Sequence, residues 1–265
     1  MSSLSSLAMP DAPGAQPATP PASSPAAARP EPWLAALAGR FLVFEGPDGC
    51  GKSTQLANLV ALAQNSGLTV ASVREPGGTD IGERVRTILL DRESRMSLQT
   101  EMLLYMASRS QLVAERILPA LERGEVVIAD RFVASTYAYQ GAGGGLPRAD
   151  IDAVARVVLQ QRAPDLTLIF DVDEQTALIR RRGLGAPKGR GKKPRSGFDL
   201  HEATLFDDRI ESRETEFHRR VRASYLEQAA ADPAHVAVID ARGTPEQVWK
   251  LTTTELGRRF GPKSQ

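Results

Sequence analysis

The stretch Phe41-Leu42-Val43-Phe44-Glu45-Gly46-Pro47-Asp48-Gly49-Cys50-Gly51-Lys52-Ser53 decides the fold. Its first five residues are nearly continuous in apolar character, which predicts a strand covered on both faces. The next eight fit G-x-x-x-x-G-K-[ST] at every fixed position. Apolar Leu56, Leu59, Val60 and Ala63 then recur at helical spacing, predicting a helix over 52–65. Strand, glycine-rich turn and helix together form a phosphate cradle. Gly46, Gly49 and Gly51 let successive backbone N–H groups turn inward, and the helix N-terminus adds partial positive charge. Lys52 is placed to reach the β/γ-phosphates of a nucleoside triphosphate, and the Ser53 hydroxyl to ligate Mg²⁺. Pro47, Asp48, Cys50 and Thr54 complete the cradle. Cys50 is either a redox-sensitive thiol at the phosphate site or a small filler, and we read it as filler.

Further strands follow at 68–73, 125–130, 166–171 and 235–240, each short, apolar and free of internal proline. Helical patterns lie between them, at about 97–121, 148–161, 174–182, 204–230 and 245–258. This alternation predicts an α/β fold: a doubly wound, five-stranded parallel sheet flanked by helices, with right-handed crossovers. Residues 1–38 differ. Eight of the chain's 18 prolines fall within the first 32 residues, among Ala and Ser. Such a stretch buries too little apolar surface to offset its ordering entropy, so we expect a disordered tail at 1–38 and a folded domain at 39–265.

Composition excludes several classes. Thirty-three Lys and Arg against 32 Asp and Glu leave a net charge of +1, too little for a whole-protein nucleic-acid surface. No apolar run approaches the ~20 residues of a membrane helix. One cysteine excludes an internal disulfide and a cysteine-rich zinc site, and suits the cytoplasm. There is no N-K-x-D base-reading motif, so a GTPase is not expected.

Three more clusters sit at strand ends, where an open α/β sheet places its ligand crevice. They are Arg74-Glu75-Pro76-Gly77-Gly78-Thr79, the run from Asp130-Arg131-Phe132 through Ser135-Thr136 to Tyr139-Gln140-Gly141, and Pro164-Asp165-Leu166-Thr167-Leu168-Ile169-Phe170-Asp171-Val172. With the phosphate loop, and in this order, these motifs resemble the thymidylate kinase family over about 40–259. The resemblance implies a three-layer P-loop kinase fold with a mobile lid. It also implies transfer of the γ-phosphoryl of ATP, with Mg²⁺, to dTMP, and a homodimer.

Its site residues carry over position by position. Arg131 is assigned to the acceptor phosphate, where a guanidinium fork fits, with a surface ion pair as its alternative. Asp130 organises Mg²⁺, fixes an arginine, or is a structural carboxylate. Tyr105 and Arg109, four apart, share a helix face; the family places there a ring stacked on thymine and an arginine on the acceptor nucleotide. An ordinary core aromatic is the other reading of Tyr105. Ser135 and Thr136 are candidates for the pyrimidine edge, and Tyr139 for the sugar C2′ with Gln140 beside it. Arg74 is a second candidate for the acceptor phosphate. A cis Glu75–Pro76 bond is expected, since X–Pro is the accessible cis site in a tight turn.

Residues 180–195 carry eight basic residues, no acidic one and four glycines. The family has its lid here, about 180–209. Because Pro47, Asp48, Gly49 and Cys50 supply no cation, the charge-stabilising arginine is expected from the lid, with Arg180 and Arg182 as catalytic candidates and Arg209 as a further one. A solvated, disordered insert over 186–199, or a loop that binds nucleic acid or acidic partners, are the alternatives for this basic stretch. A non-catalytic nucleotide-binding regulator and a kinase for another small acceptor are the competing functions.

Overall fold

The structure, a computed structural model, describes residues 31–91, 93–160, 162–181 and 215–262. The expected tail over 1–30, most of the lid with Arg182 and Arg209, and the expected helical stretch 204–214 lie outside the described residues.

Strand β1 (Phe41–Glu45) is buried at every position and occupies the centre of the sheet. With β2 (Val70–Arg74), β3 (Val126–Asp130), β4 (Leu166–Asp171) and β5 (Val236–Asp240) it forms a sheet of order β2-β3-β1-β4-β5. All pairings are parallel. Phe41 is opposite Val127 on one side of β1, and Leu42 is opposite Leu166 on the other. Successive side chains of β1 go to opposite faces, as strand geometry requires. Leu42 and Phe44 join a core with Leu56 and Leu59 of helix α1 (Lys52–Asn65); Phe41 and Val43 join one with Leu112, Val113 and Ile117.

The remaining described helices are α2 (Asp80–Leu90), α3 (Leu98–Leu112), α4 (Leu118–Glu122), α5 (Val133–Thr136), α6 (Arg148–Val158), α7 (Glu174–Arg181), α8 (Thr215–Ala231) and α9 (Pro245–Phe260). The helix expected over 97–121 is not uniform: a wider π-helical turn, Val113–Ile117, separates α3 from α4. Pro119 accounts for the break, because it has no N–H to return to the carbonyl four residues back and its ring crowds that carbonyl. Helix α2 was not expected. Thr79 caps it, its hydroxyl accepting the Gly82 N–H at 3.0 Å.

The tail boundary at 38 is corrected. Trp33, Leu34 and Leu37 are buried, around a short 3₁₀ turn at Ala35–Leu37, within the core shared by α1 and α9. Trp33 lies against Gly257, where an added Cβ would come within 3.3 Å of its Cδ1. The Ala-rich composition of 34–38 merges with the tail and hides this apolar face. We expect Trp33→Ala to cost about 3–5 kcal/mol of stability, read as a lower urea midpoint with unchanged slope. A loss below about 1 kcal/mol would put Trp33 outside the core.

Candidate active site

The turn after β1 has the shape the glycines predict. Gly46 has φ 136°, and a Cβ there would lie 2.5 Å from the Phe170 carbonyl oxygen, so only glycine fits. Helix α1 starts at Lys52 behind Gly51, with no side-chain cap and no acidic residue in its first turn. Its first N–H groups are therefore left for an anion. Ser53 and the exposed Thr54 follow in that turn. Cys50 is buried at the turn's base, and burial pushes its thiol up, which suits the filler reading.

The ends of β1 and β3 meet over this turn. Lys52 Nζ lies 3.3 Å from Asp48 Oδ1 and 3.9 Å from Asp130 Oδ1, and the Ser53 hydroxyl donates to Asp130 Oδ2 at 3.5 Å. Burial works against the charge of Lys52, as does Arg131, but Asp130 and Asp48 prevail and raise its pKa. Burial also opposes ionisation of Asp48. Arg131 and Lys52 together outweigh it and hold that carboxyl below the usual range. Asp130 Oδ1 is buried without a hydrogen-bond partner.

Arg131 directly follows β3, with φ 71°. Its guanidinium forms a close ion pair with Asp48, donates to Ser135 Oγ at 3.0 Å and to Tyr225 Oη at 3.4 Å, and lies 5.2 Å from the Tyr139 ring centroid. Beneath it, Glu45 is fully buried at the end of β1. It accepts from the Phe132 and Ser135 N–H groups at 2.8 and 3.1 Å, from Ser135 Oγ at 2.7 Å and from Tyr225 Oη at 3.0 Å. Burial pushes its carboxyl up, against Arg131 and these donors. Glu45 and Tyr225 are neighbours of this arginine that sequence reasoning missed.

A narrow cleft opens beside Arg131. It is lined by Tyr105, Arg109, Ser135, Thr136, Tyr139 and Gln140, all expected, and by Glu75, which was not. Arg109 is almost wholly buried. Its donors go to both Glu75 oxygens, to Thr136 Oγ1 and the Phe132 carbonyl at 3.0 Å, and to Met106 Sδ at 3.2 Å. Burial pushes the Glu75 carboxyl up to about 7, against the pull of Arg109. Burial likewise raises the Tyr105 hydroxyl, so a neutral ring faces the cleft. Gln140 donates to Glu101 Oε1 at 2.9 Å, a third missed carboxylate. The Glu75–Pro76 bond is cis.

Two candidates stand elsewhere. Arg74 does not line the cleft; it pairs with Glu83 at 3.3 Å. Arg86, unremarked in the sequence, donates to the Pro76 carbonyl at 2.7 Å and braces the same turn. Arg180 donates to the carbonyls of Ala241, Arg242 and Gly243, between β5 and α9, rather than reaching over the phosphate turn. Among the described residues, no group of three or more His, Cys, Asp and Glu is arranged to hold a metal ion, and no helix is long and apolar enough to cross a membrane.

The thymidylate kinase family model matches residues 44–251. A thymidylate kinase of Desulforapulum autotrophicum is 41% identical over 222 residues, covering 83% of this chain and 92% of that protein. One from Thermomicrobium roseum is 41% identical over 223 residues, covering 83% and 96%. Among solved structures, thymidylate kinase from Ehrlichia chaffeensis superposes with a TM-score of 0.61 at 30% identity, over 82% of this chain and 97% of that one. The family match runs through both the phosphate turn and the cleft beside Arg131, and on it the chain belongs to the thymidylate kinase family.

Proposed function

We propose that the chain transfers the γ-phosphoryl group of ATP to dTMP, giving dTDP and ADP. One observation carries this reading: Asp48 pairs at once with Lys52 of the phosphate turn and Arg131 of the cleft, so a donor site and an acceptor site abut.

Each side of that contact has a role. The uncapped start of α1 and Lys52 hold the donor's β/γ-phosphates. Arg131, braced by Ser135, Tyr225 and the Tyr139 ring, presents its fork to the acceptor phosphate. Tyr105 offers a flat face to the base, and Arg109, fixed by Glu75, backs it. The Ser135 hydroxyl donates to Glu45 and accepts from Arg131, so its part is to hold that arginine; Thr136 accepts from Arg109 and keeps its own proton for the pyrimidine edge. Tyr139 stands beside the sugar, with Gln140 next to it. An acceptor phosphate oxygen then attacks the γ-phosphorus in line as the bond to the ADP oxygen breaks.

Ser53 and Asp130 fit a Mg²⁺ ion: a hydroxyl and a carboxylate converge, and Asp130 Oδ1 has no hydrogen-bond partner. When bound there, the ion neutralises charge on the transferring phosphates. With no cation at positions 47–50 and Arg180 engaged by carbonyls, Arg182 is the lid candidate for the remaining charge. Exposed Ile81 and Ile88 on α2, Leu103 on α3 and Val157 on α6 support a second copy of the chain as partner, since α2 packs on α3 and α3 on α6. We place the enzyme in the cytoplasm.

The test is ADP production from ATP·Mg²⁺ with dTMP, dUMP, CMP, AMP or no acceptor. Turnover is expected to be strongest with dTMP. Turnover strongest with another acceptor would overturn the cleft reading. ATP binding without acceptor-dependent turnover would favour a regulator.

A further inference from the structure

A second cavity, of about 650 Å³, opens on the side of the sheet away from the phosphate turn. Its volume is in the range of small-molecule sites, which run roughly from 300 to 1,000 Å³. Its floor is Val43 of β1 and Thr167 of β4. Its mouth, near the starts of β1, β4 and β5, carries Arg40, Arg162 and Arg259.

The mouth is short of negative charge. Arg40 and Arg162 share one carboxylate, Asp165, at 2.9 and 2.8 Å, and Asp165 also accepts the Phe41 N–H at 2.8 Å. Arg162 Nε is buried with no hydrogen-bond partner. A buried charged N–H without an acceptor is costly, and an anion at the mouth would remove that cost. His235 and Asp232, also at the mouth, pair with each other at 3.0 Å. Arg259 is held by Glu255 and by the Pro233 and Ala234 carbonyls.

The deep end is apolar and adjoins the segment that follows β3. Phe132, Val133 and Ala134 line it, and they directly follow Arg131. Gln228, also lining, donates to the Ala134 carbonyl at 3.3 Å. The Phe132 carbonyl accepts from Arg109 on its other side. An occupant would therefore touch the back of the segment that aims Arg131 and Arg109.

We propose that this cavity binds a small amphiphilic anion, an apolar ring system carrying one carboxylate, sulfonate or phosphate, and that its occupancy shifts the use of dTMP. The second half rests on the acceptor role proposed above for Arg131; the first does not. The charged group meets Arg162 and Arg40, and the ring body lies on Val43 and Phe132. No covalent step is involved.

The test uses the full-length protein and 1-anilinonaphthalene-8-sulfonate as probe. Fluorescence titration is expected to show one saturable site per chain that persists with saturating dTMP and ATP. Arg162→Gln, which leaves Asp165 with Arg40 and the Phe41 N–H, is expected to weaken binding about tenfold. Val236→Trp, which fills the cavity from its rim, is expected to abolish it, with thermal melting as the check on folding. Displacement by dTMP or ATP, no saturable binding, or unchanged binding in both variants would overturn the site. In steady-state kinetics, saturating probe is expected to change kcat or the KM for dTMP at least threefold in a way that added dTMP does not relieve. Unaltered kinetics at probe saturation would overturn the coupling while leaving the site. Absence of dTMP turnover without probe would instead be a failure of the proposed function.

Discussion

Lys52→Ala lowers kcat for dTMP phosphorylation by about 10²–10³-fold, the range seen when one preorganised charge at a transferring group is removed. No other cation stands in the phosphate turn, whose variable positions are Pro47, Asp48, Gly49 and Cys50. Asp48 keeps Arg131 as a partner after the substitution, so the site should not collapse for want of a countercharge. The KM for dTMP is expected to move little, because Lys52 does not line the acceptor cleft. The check is a coupled assay of both parameters beside a melting curve. A fall in kcat below tenfold would remove Lys52 from the chemistry.

Arg131→Lys lowers kcat/KM for dTMP by about 10³-fold, while the KM for ATP stays within about threefold. Lysine retains the charge that Asp48 needs but loses the planar fork. That fork reaches Asp48, Ser135 and Tyr225 together and lies against the Tyr139 ring. A compact ammonium cannot span these groups and also present two parallel donors to a phosphate. Losing a bidentate, charge-assisted contact at a buried site is worth about 4 kcal/mol, hence the thousandfold. Arg131→Ala is the poorer test, since it leaves the buried Asp48 with Lys52 alone and costs stability of about 3–5 kcal/mol. A defect confined to the KM for ATP would move Arg131 to the donor side.

What could be read from the residues alone divides by range. Strands β1 and β4 were legible to the residue, because a strand covered on both faces is written as a continuous apolar run. Helix α2 was not, since Gly82 and its acidic first turn dilute the apolar pattern of Val85 and Leu89. The π-helical turn at Val113–Ile117 was marked in the sequence by Pro119. In the site, Tyr105, Arg109, Arg131, Ser135, Thr136, Tyr139 and Gln140 were legible through local motifs, and they line one cleft. The partners that orient them were not. Glu45 and Tyr225 are 180 positions apart, and Glu75 and Arg109 are 34 apart. No spacing rule links such pairs; only the folded sheet brings them together. Arg180 shows the converse, a basic residue in a basic run whose local context says nothing about the three carbonyls it meets.

The central place of β1 also bears on how the chain reaches this state. It is the first strand among the described residues, yet both of its neighbours come much later: Phe41 waits for Val127 and Leu42 for Leu166. Until β3 has emerged this fully buried strand has two open edges, and until β4 has emerged it still has one. Long-range parallel pairing of this kind makes folding slow and leaves nascent chains prone to association. The phosphate turn, whose Gly46 packs against the Phe170 carbonyl of β4, therefore takes its final shape only after most of the chain has been made.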